Sequence, residues 1–223
     1  MKIRARVSLS RPVLWVWLVY LVLLFFLLYP VQLVHAEPLR FSADRVESVL
    51  ASGREVTRLI GNARISTPRV TIQANTITIS GEGNRFLEAQ GQVIIQELRR
   101  NIRLSGDHLN YDRTLDVLRI RGNGILEDQR NNTLVRGSII EHRGEENIAV
   151  IQIGVRILRD ELTARADIVR YDRNTDTLEL LGQPVVFSKG DEFRASRITV
   201  DLTTDDFRLD GMVQGTIRER NNQ

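Results

Sequence analysis

After Pro38, apolar and polar residues alternate with period two, or with period two broken by a single slip, along almost the whole chain. That period belongs to half-buried β-strands, and no stretch there keeps the 3.6-residue period of a helix. The clearest copy is Leu162 to Phe187. Leu162, Ala164 and Ala166 alternate with polar residues, then the parity slips and Val169 and Tyr171 take over. Asp172-Arg173-Asn174-Thr175-Asp176 makes a polar turn. Leu178, Leu180 and Gly182 resume the alternation, and Val185 and Phe187 follow. The pattern predicts strand, bulge, strand, turn, strand.

The same plan recurs at Ile72 to Ile95, Ile102 to Glu127 and Phe193 to Ile217, with weaker copies from Phe41 and Thr133. Gly61, Gly91, Gly122, Gly154, Gly182 and Gly211 mark the units at intervals of 28 to 32 residues. Six units of about 30 residues are an internal repeat. They predict an all-β chain with one domain over residues 37–223. Short polar turns between successive strands favour antiparallel neighbours over the coils of a parallel β-helix. The fourth unit departs from the others. Its slot two residues before Gly154 holds Gln152, where other copies carry Leu59, Ala89, Ile120, Leu180 and Leu209. Either the strand is shifted there or the inner face is locally polar.

The parity slip follows a small residue: Ala43, Ala74, Gly106, Gly137, Ala166 and Ala195. Three residues on stand Val46, Ile77, Leu109, Ile140, Val169 and Ile198. An extra residue lets a strand bend while both halves keep their apolar side chains on one inner face. Bends stacked in register predict a rolled or V-shaped sheet with an apolar inside; an ordinary sandwich corner is the alternative. The candidate inner residues are Ile65, Ile77, Leu87, Val93, Leu109, Ile120, Ile140, Val169, Leu180 and Phe187. Arg119 and Glu179 fall on the opposite parity. An open roll also has two edges. Neither the first candidate strand, Leu39 to Leu50, nor the last, Gly211 to Ile217, carries the Pro or Lys that usually blunts an edge. Phe41, Ala43 and Val46 at one end, and Met212, Val213 and Ile217 at the other, are candidate edge-assembly residues.

Residues 1–36 have the anatomy of a secretory signal. Lys2, Arg4, Arg6 and Arg11 precede an apolar run from Val13 to Leu28, Pro30 breaks it, and Val34-His35-Ala36 offers a cleavage site. A retained membrane anchor over Val13 to Val34 is the competing reading. The leader carries four of the 31 Lys+Arg and none of the 28 Asp+Glu. What remains is 27 positive and 28 negative side chains, a net −1, so the basic balance of the whole chain points to no nucleic-acid partner. Cysteine is absent, which excludes a lipid-modified N-terminus.

Little else suggests chemistry. His108 and His142 lie in different units without a metal-ligand cluster, and both read as ordinary surface or turn residues. Asp112, Asp116, Asp172, Asp176, Asp205 and Asp206 sit in turns, where Asp bonds its own backbone. Arg113 and Arg173 occupy equivalent turns and suit either lipid phosphates or neighbouring acids. No nucleophile elbow or phosphate loop occurs, so no enzyme activity and no cofactor are expected.

With the repeat in place, the chain resembles the LptA/OstA family of periplasmic lipopolysaccharide transport proteins. The resemblance rests on Ala43-Asp44 with Gly61-Asn62-Ala63, Ala74-Asn75 with Gly91-Gln92-Val93, and Gly106-Asp107 with Gly122-Asn123-Gly124. Ala166-Asp167 with Gly182-Gln183-Pro184 and Ala195-Ser196 with Gly211-Met212-Val213 continue it, over nearly all of residues 39–217. It implies a twisted, half-open antiparallel β-jelly roll whose apolar groove binds lipopolysaccharide acyl chains. It also implies head-to-tail joining by edge-strand pairing, with an inner-membrane LptC-like partner and an outer-membrane LptD-like partner. An uncut leader would make the chain LptC-like. A closed-core β-repeat scaffold binding only protein, and a carbohydrate-active β-helix enzyme, are the readings from other classes.

Overall fold

The computed structural model describes residues 39–218 apart from 50, 52 and 54. The leader, its cleavage site and Arg220 lie outside the described residues. Among the described residues, sixteen strands form one sheet. They are β1 (Arg40–Ser42), β2 (Arg45–Val49), β3 (Val56–Ser66), β4 (Val70–Ser80), β5 (Phe86–Glu97), β6 (Ile102–Asp112), β7 (Val117–Asp128) and β8 (Thr133–Arg143). The rest are β9 (Ile148–Arg159), β10 (Leu162–Asp172), β11 (Thr177–Leu181), β12 (Val185–Ser188), β13 (Asp191–Arg194), β14 (Arg197–Asp201), β15 (Phe207–Asp210) and β16 (Gln214–Thr216). Every pairing is antiparallel, which removes the parallel β-helix. Among the described residues the sheet does not close into a barrel. β1 and β2 pair with β3 alone, β15 with β14 and β16 with β13. The all-β, open, jelly-roll-like architecture expected from the repeat is the one observed.

The eight long strands, β3 to β10, each cross a bend. Their registers shift together at Ile60/Ala63, Gln73/Thr76, Gln90/Val93, Ser105/His108, Arg121/Gly124, Arg136/Ile139 and Ala166/Ile168. At the two ends of the sheet the bend becomes a break. β1 and β2 continue opposite halves of β3, while β12 and β11 continue opposite halves of β10. The sheet therefore has two wings. The first runs from β1 through one half of each long strand to β12, β13 and β16. The second runs from β2 through the other halves to β11, β14 and β15. The buried side chains of both wings belong to one core, from Leu59 to Leu202. A chain beginning at Glu37 contains that core whole.

The bend has a local cause. Gly122 (φ 76) and Asn123 (φ 48) are both left-handed, and the same pair recurs at 61–62, 91–92, 182–183 and 211–212. Two successive left-handed residues turn the strand without changing which face its side chains take. The Asp107 carboxylate lies over Gly122: a Cβ there would stand 2.3 Å from Oδ2. Asn123 Nδ2 donates to the same oxygen at 2.9 Å. Asp44, Gly61 and Asn62 repeat the arrangement. This is why a small residue and an acid, amide or serine lead each unit, and why a glycine follows.

The fourth unit is displaced by one residue. Its left-handed pair is Ile153 (φ 68) and Gly154 (φ 66), so Ile153 occupies the position that glycine holds elsewhere. Ile151 fills the inner slot and is fully buried, while Gln152 falls outside that row. The strand is shifted rather than locally polar inside. A β-branched side chain in this region is strained.

Candidate lipid-binding interior and its edges

Nine of the ten candidate inner residues are buried and share the core: Ile65, Ile77, Leu87, Val93, Leu109, Ile120, Ile140, Val169 and Leu180. Phe187 is a correction. The left-handed pair after Gly182 preserves parity, so Leu178, Leu180 and Val186 are the buried positions. Phe187 pairs with Thr163 on the outer face and is half-buried. Arg119 and Glu179 also face outward; Arg119 pairs with Glu141 across the strands.

The interior is an apolar slot shut wing against wing. It is not sealed at its ends. Phe41 pairs with Ile65 and Val46 with Leu59, so both continue the inner face, yet they are 52% and 44% exposed. At the other end Gly215 pairs with Phe193, and Val213 and Ile217 share its parity at 53% and 77% exposure. Met212 is exposed, and Ala43, at the break between β1 and β2, is half-buried against the core. The inner face therefore runs out to both free edges and is covered at neither. Phe193 on β13 and Phe207 on the edge strand β15 meet there as tilted rings, 5.0 Å between centroids.

Opposite the bend, the free tips of the wings are joined by polar side chains. Arg173, whose side chain is 5% exposed, reaches from the β10–β11 turn to Glu97 at the end of β5, 2.7 Å away. Tyr171 donates to the buried carboxylate of Asp128. Asn131 Nδ2 donates to Asp176 Oδ1 at 3.2 Å, and Arg130 pairs with that oxygen at 2.6 Å. Arg159 reaches Asp205 at 2.7 Å and the Leu202 carbonyl at 2.6 Å, and Arg100 donates to Asn147. Each contact crosses from the first wing to the second, so together they close the mouth of the slot. Burial, then the Asp128 bond, pushes the Tyr171 hydroxyl far above its usual range and keeps it a donor. A pocket of about 370 Å³ at the tip of the first wing is lined by Asp128, Thr133, Leu134, Leu158, Arg159 and Asp160 among others.

The turn residues are accounted for. Arg173 serves the mouth, and Arg113 donates to the Asn84 carbonyl at 3.0 Å. Asp112 accepts from the Thr114 and Leu115 amides. Its pairing with Arg85 is the main cause that lowers its pKa to about 2. His108 is exposed as expected. His142 is not an ordinary surface residue: its Nδ1 bonds the Ile148 carbonyl at 3.1 Å and its Nε2 lies 3.4 Å from Arg173 Nη1. Burial, then the Arg173 charge, lowers its pKa below 6.5. Among the described residues no group of three or more His, Asp or Glu could hold a metal ion. Sequence reasoning missed the mouth, because its partners lie tens of residues apart and carry no local signal.

Residues 143–206 match a family model described as LptA/(LptD N-terminal domain) LPS transport protein. The match spans the end of β8 through β14 and includes the Tyr171 to Asp176 turn. It establishes a distant relationship to the LptA/LptD-type transport proteins and assigns no subfamily. A comparison with curated proteins finds no match. Among solved structures, the chain is similar to LptH of Pseudomonas aeruginosa, titled the LptA homologous periplasmic component of the conserved lipopolysaccharide transport device. Identity is 12%, and the similarity covers 82% of this chain and 96% of that one. With a TM-score of 0.26 that likeness carries no weight for function.

Proposed function

We propose that the protein is a non-enzymatic periplasmic lipid carrier that takes acyl chains of lipopolysaccharide, or of a related glycolipid, between its two wings. The observation that carries this reading is the apolar inner face running uncovered to both free edges. A protein with a core for stability alone gains nothing by leaving Phe41, Val46, Val213 and Ile217 exposed at the ends of that core. Pairing β1 and β2 of one copy with β15 and β16 of another would cover both ends and make one slot continuous with the next. Such contacts are heterologous and extend as rods. The same edges suit an inner-membrane LptC-like partner at one end and an outer-membrane LptD-like partner at the other.

Each shielded methylene contributes about 0.8 kcal/mol, so full burial of several chains would hold the lipid too tightly for transfer. A slot that parts at its mouth shields the chains partly and leaves sugars and phosphates in water. The leader delivers the domain to the periplasm on this reading, and a mature terminus at Glu37 is expected from N-terminal sequencing. An intact leader in the membrane fraction would favour the anchored LptC-like form.

A photo-crosslinking residue placed at Ile77, Leu109, Ile120, Val169 or Leu180 should capture lipopolysaccharide, and one at Arg119 or Glu179 should not. Equal labelling from both faces rejects the interior as the site. The second reading, a closed scaffold, is favoured by the full burial of the interior. Mass spectrometry of organic extracts from the purified protein separates the two, since a scaffold carries no amphiphile.

A further inference from the structure

The outer face of the first wing carries a feature that the carrier reading does not use. Arg136 on β8 pairs directly with Arg156 on β9, and Arg156 pairs with Arg165 on β10. Three guanidinium side chains thus stand in one row across three neighbouring strands, about 4.8 Å from strand to strand. All three are exposed, and none has an ion-pair or hydrogen-bond partner among the described residues. Elsewhere the outer face sets opposite charges against each other, as in Arg119 with Glu141 and Arg103 with Glu127. Like charges placed directly opposite destabilise a sheet. The nearest acid on β10, Asp167, is turned over Gly182 at the bend.

Apolar side chains flank the row on both sides. Towards the strand ends, Leu134 pairs with Leu158, which is 48% exposed, and Phe187 lies two strands further on. Across the bend, at the start of the second wing, Ile139 and Ile168 stand on either side of Gln152, Leu181 pairs with Ile168, and Ile153, 58% exposed, lies at the bend itself. The strained frame of the fourth unit is what puts Ile153 on this surface.

We propose that this face docks the protein on an anionic bilayer surface, with the three arginines on lipid phosphates and the flanking side chains in the headgroup boundary. A single acidic segment of a protein partner could neutralise the row but would leave both apolar flanks wet. A bilayer meets the basic row and the apolar rows at once. Docking here leaves the interior and both edges free.

The test is flotation of the mature chain, residues 37–223, with vesicles of phosphatidylglycerol and phosphatidylethanolamine, and with vesicles of phosphatidylcholine alone. Binding to the anionic vesicles that weakens with salt is expected. Replacing Arg136, Arg156 and Arg165 together by Gln should weaken it about a hundredfold. The same net change at Arg58, Arg64 and Arg99, which form no row, should cost only a few-fold. Leu158→Asn should cost about tenfold. The unfolding midpoint of the triple variant should not fall, since a repulsion is removed. If it does, Arg156→Gln alone still serves and should cost about fivefold. Equal losses in the two triple variants, equal binding to phosphatidylcholine, or no vesicle binding would overturn the proposal. Capture on immobilised polyglutamate with no vesicle binding would overturn it in favour of an acidic protein.

Discussion

The bend and the mouth hold the same two wings together by different means. At the bend the chain itself turns, through left-handed pairs such as Gly122 and Asn123 with an acid laid over the glycine. At the mouth nothing covalent crosses, and side chains from distant turns meet: Arg173 with Glu97, Tyr171 with Asp128, Asn131 with Asp176. A backbone bend opens only with local unfolding, whereas a row of polar contacts can be exchanged for water a few at a time. On the proposed carrier reading, the roll parts at the mouth while the bend acts as a fixed spine.

The largest expected effect comes from breaking the spine. Gly122→Val puts a β-branched residue at φ 76 and drives its Cβ to 2.3 Å from Asp107 Oδ2. A loss of about 3 kcal/mol or more is expected in urea unfolding. Adding Asp107→Ala should recover only the part due to the clash, so the pair separates steric from backbone cost. Full recovery would mean that the left-handed conformation is not the constraint.

Next comes the mouth. Arg173→Ala leaves Glu97 with only the longer Arg100 contact at 3.8 Å and His142 without its neighbour, and should cost about 2 kcal/mol. Glu97 is 28% exposed and can be rehydrated, which keeps the loss below that of a fully buried pair. The distinguishing measurement is hydrogen exchange. The ladder amides of Val169 and Tyr171 should exchange faster, while those at Gly122 and Asn123 should not. Equal acceleration at both would show that the wings do not part independently of the spine.

The contrast also marks where the sequence is readable. The spine is written locally: a small residue, an acid, amide or serine, and later a glycine recur every 30 residues or so, and the parity slip exposes the bend. The nine buried inner residues follow from that parity. Phe187 was misplaced because two left-handed residues turn a strand without switching its faces, so no slip occurs after Gly182. In the fourth unit the sequence leaves a shifted strand and a locally polar inner face both open, because Gly154 marks the glycine position while the backbone uses Ile153 for the first left-handed residue. The mouth is written nowhere locally. Glu97 and Arg173 are brought together only when the whole stack of strands is correctly paired. The arginine row is equally hidden, since Arg136, Arg156 and Arg165 become neighbours through register alone.

Ile153 sharpens the comparison from the other side, since there the spine itself is imperfect. Ile153→Gly restores the residue type that the other units carry and removes the strain of a β-branched side chain at φ 68. Thermal unfolding should show a gain of about 1 kcal/mol. No gain would mean that contacts of the isoleucine offset the strain.

The smallest effect is the response of the mouth to mild acid. His142 faces the Ile148 carbonyl and the Arg173 guanidinium, with Glu97 and Asp116 also acting on it favourably from nearby. Burial comes first and the Arg173 charge second in holding its pKa below 6.5. Above pH 6.5 the imidazole is neutral in both folded and unfolded chains and contributes no pH dependence. As pH falls below 6.5, the unfolded chain takes up a proton that the folded chain resists. Stability is therefore lost from there down to the lowered folded pKa, and no further below it. The carboxylate of Asp112, held at about 2 chiefly by Arg85, titrates well below this window and lies on the second wing alone. A decline in unfolding midpoint below pH 6.5 that disappears in His142→Gln assigns the response to this residue. In Arg173→Ala the decline should shrink and end at a higher pH, because one of the two causes that lower the folded pKa is gone. A decline that is unchanged in both variants would place the acid sensitivity elsewhere and leave the mouth as a latch that pH does not touch.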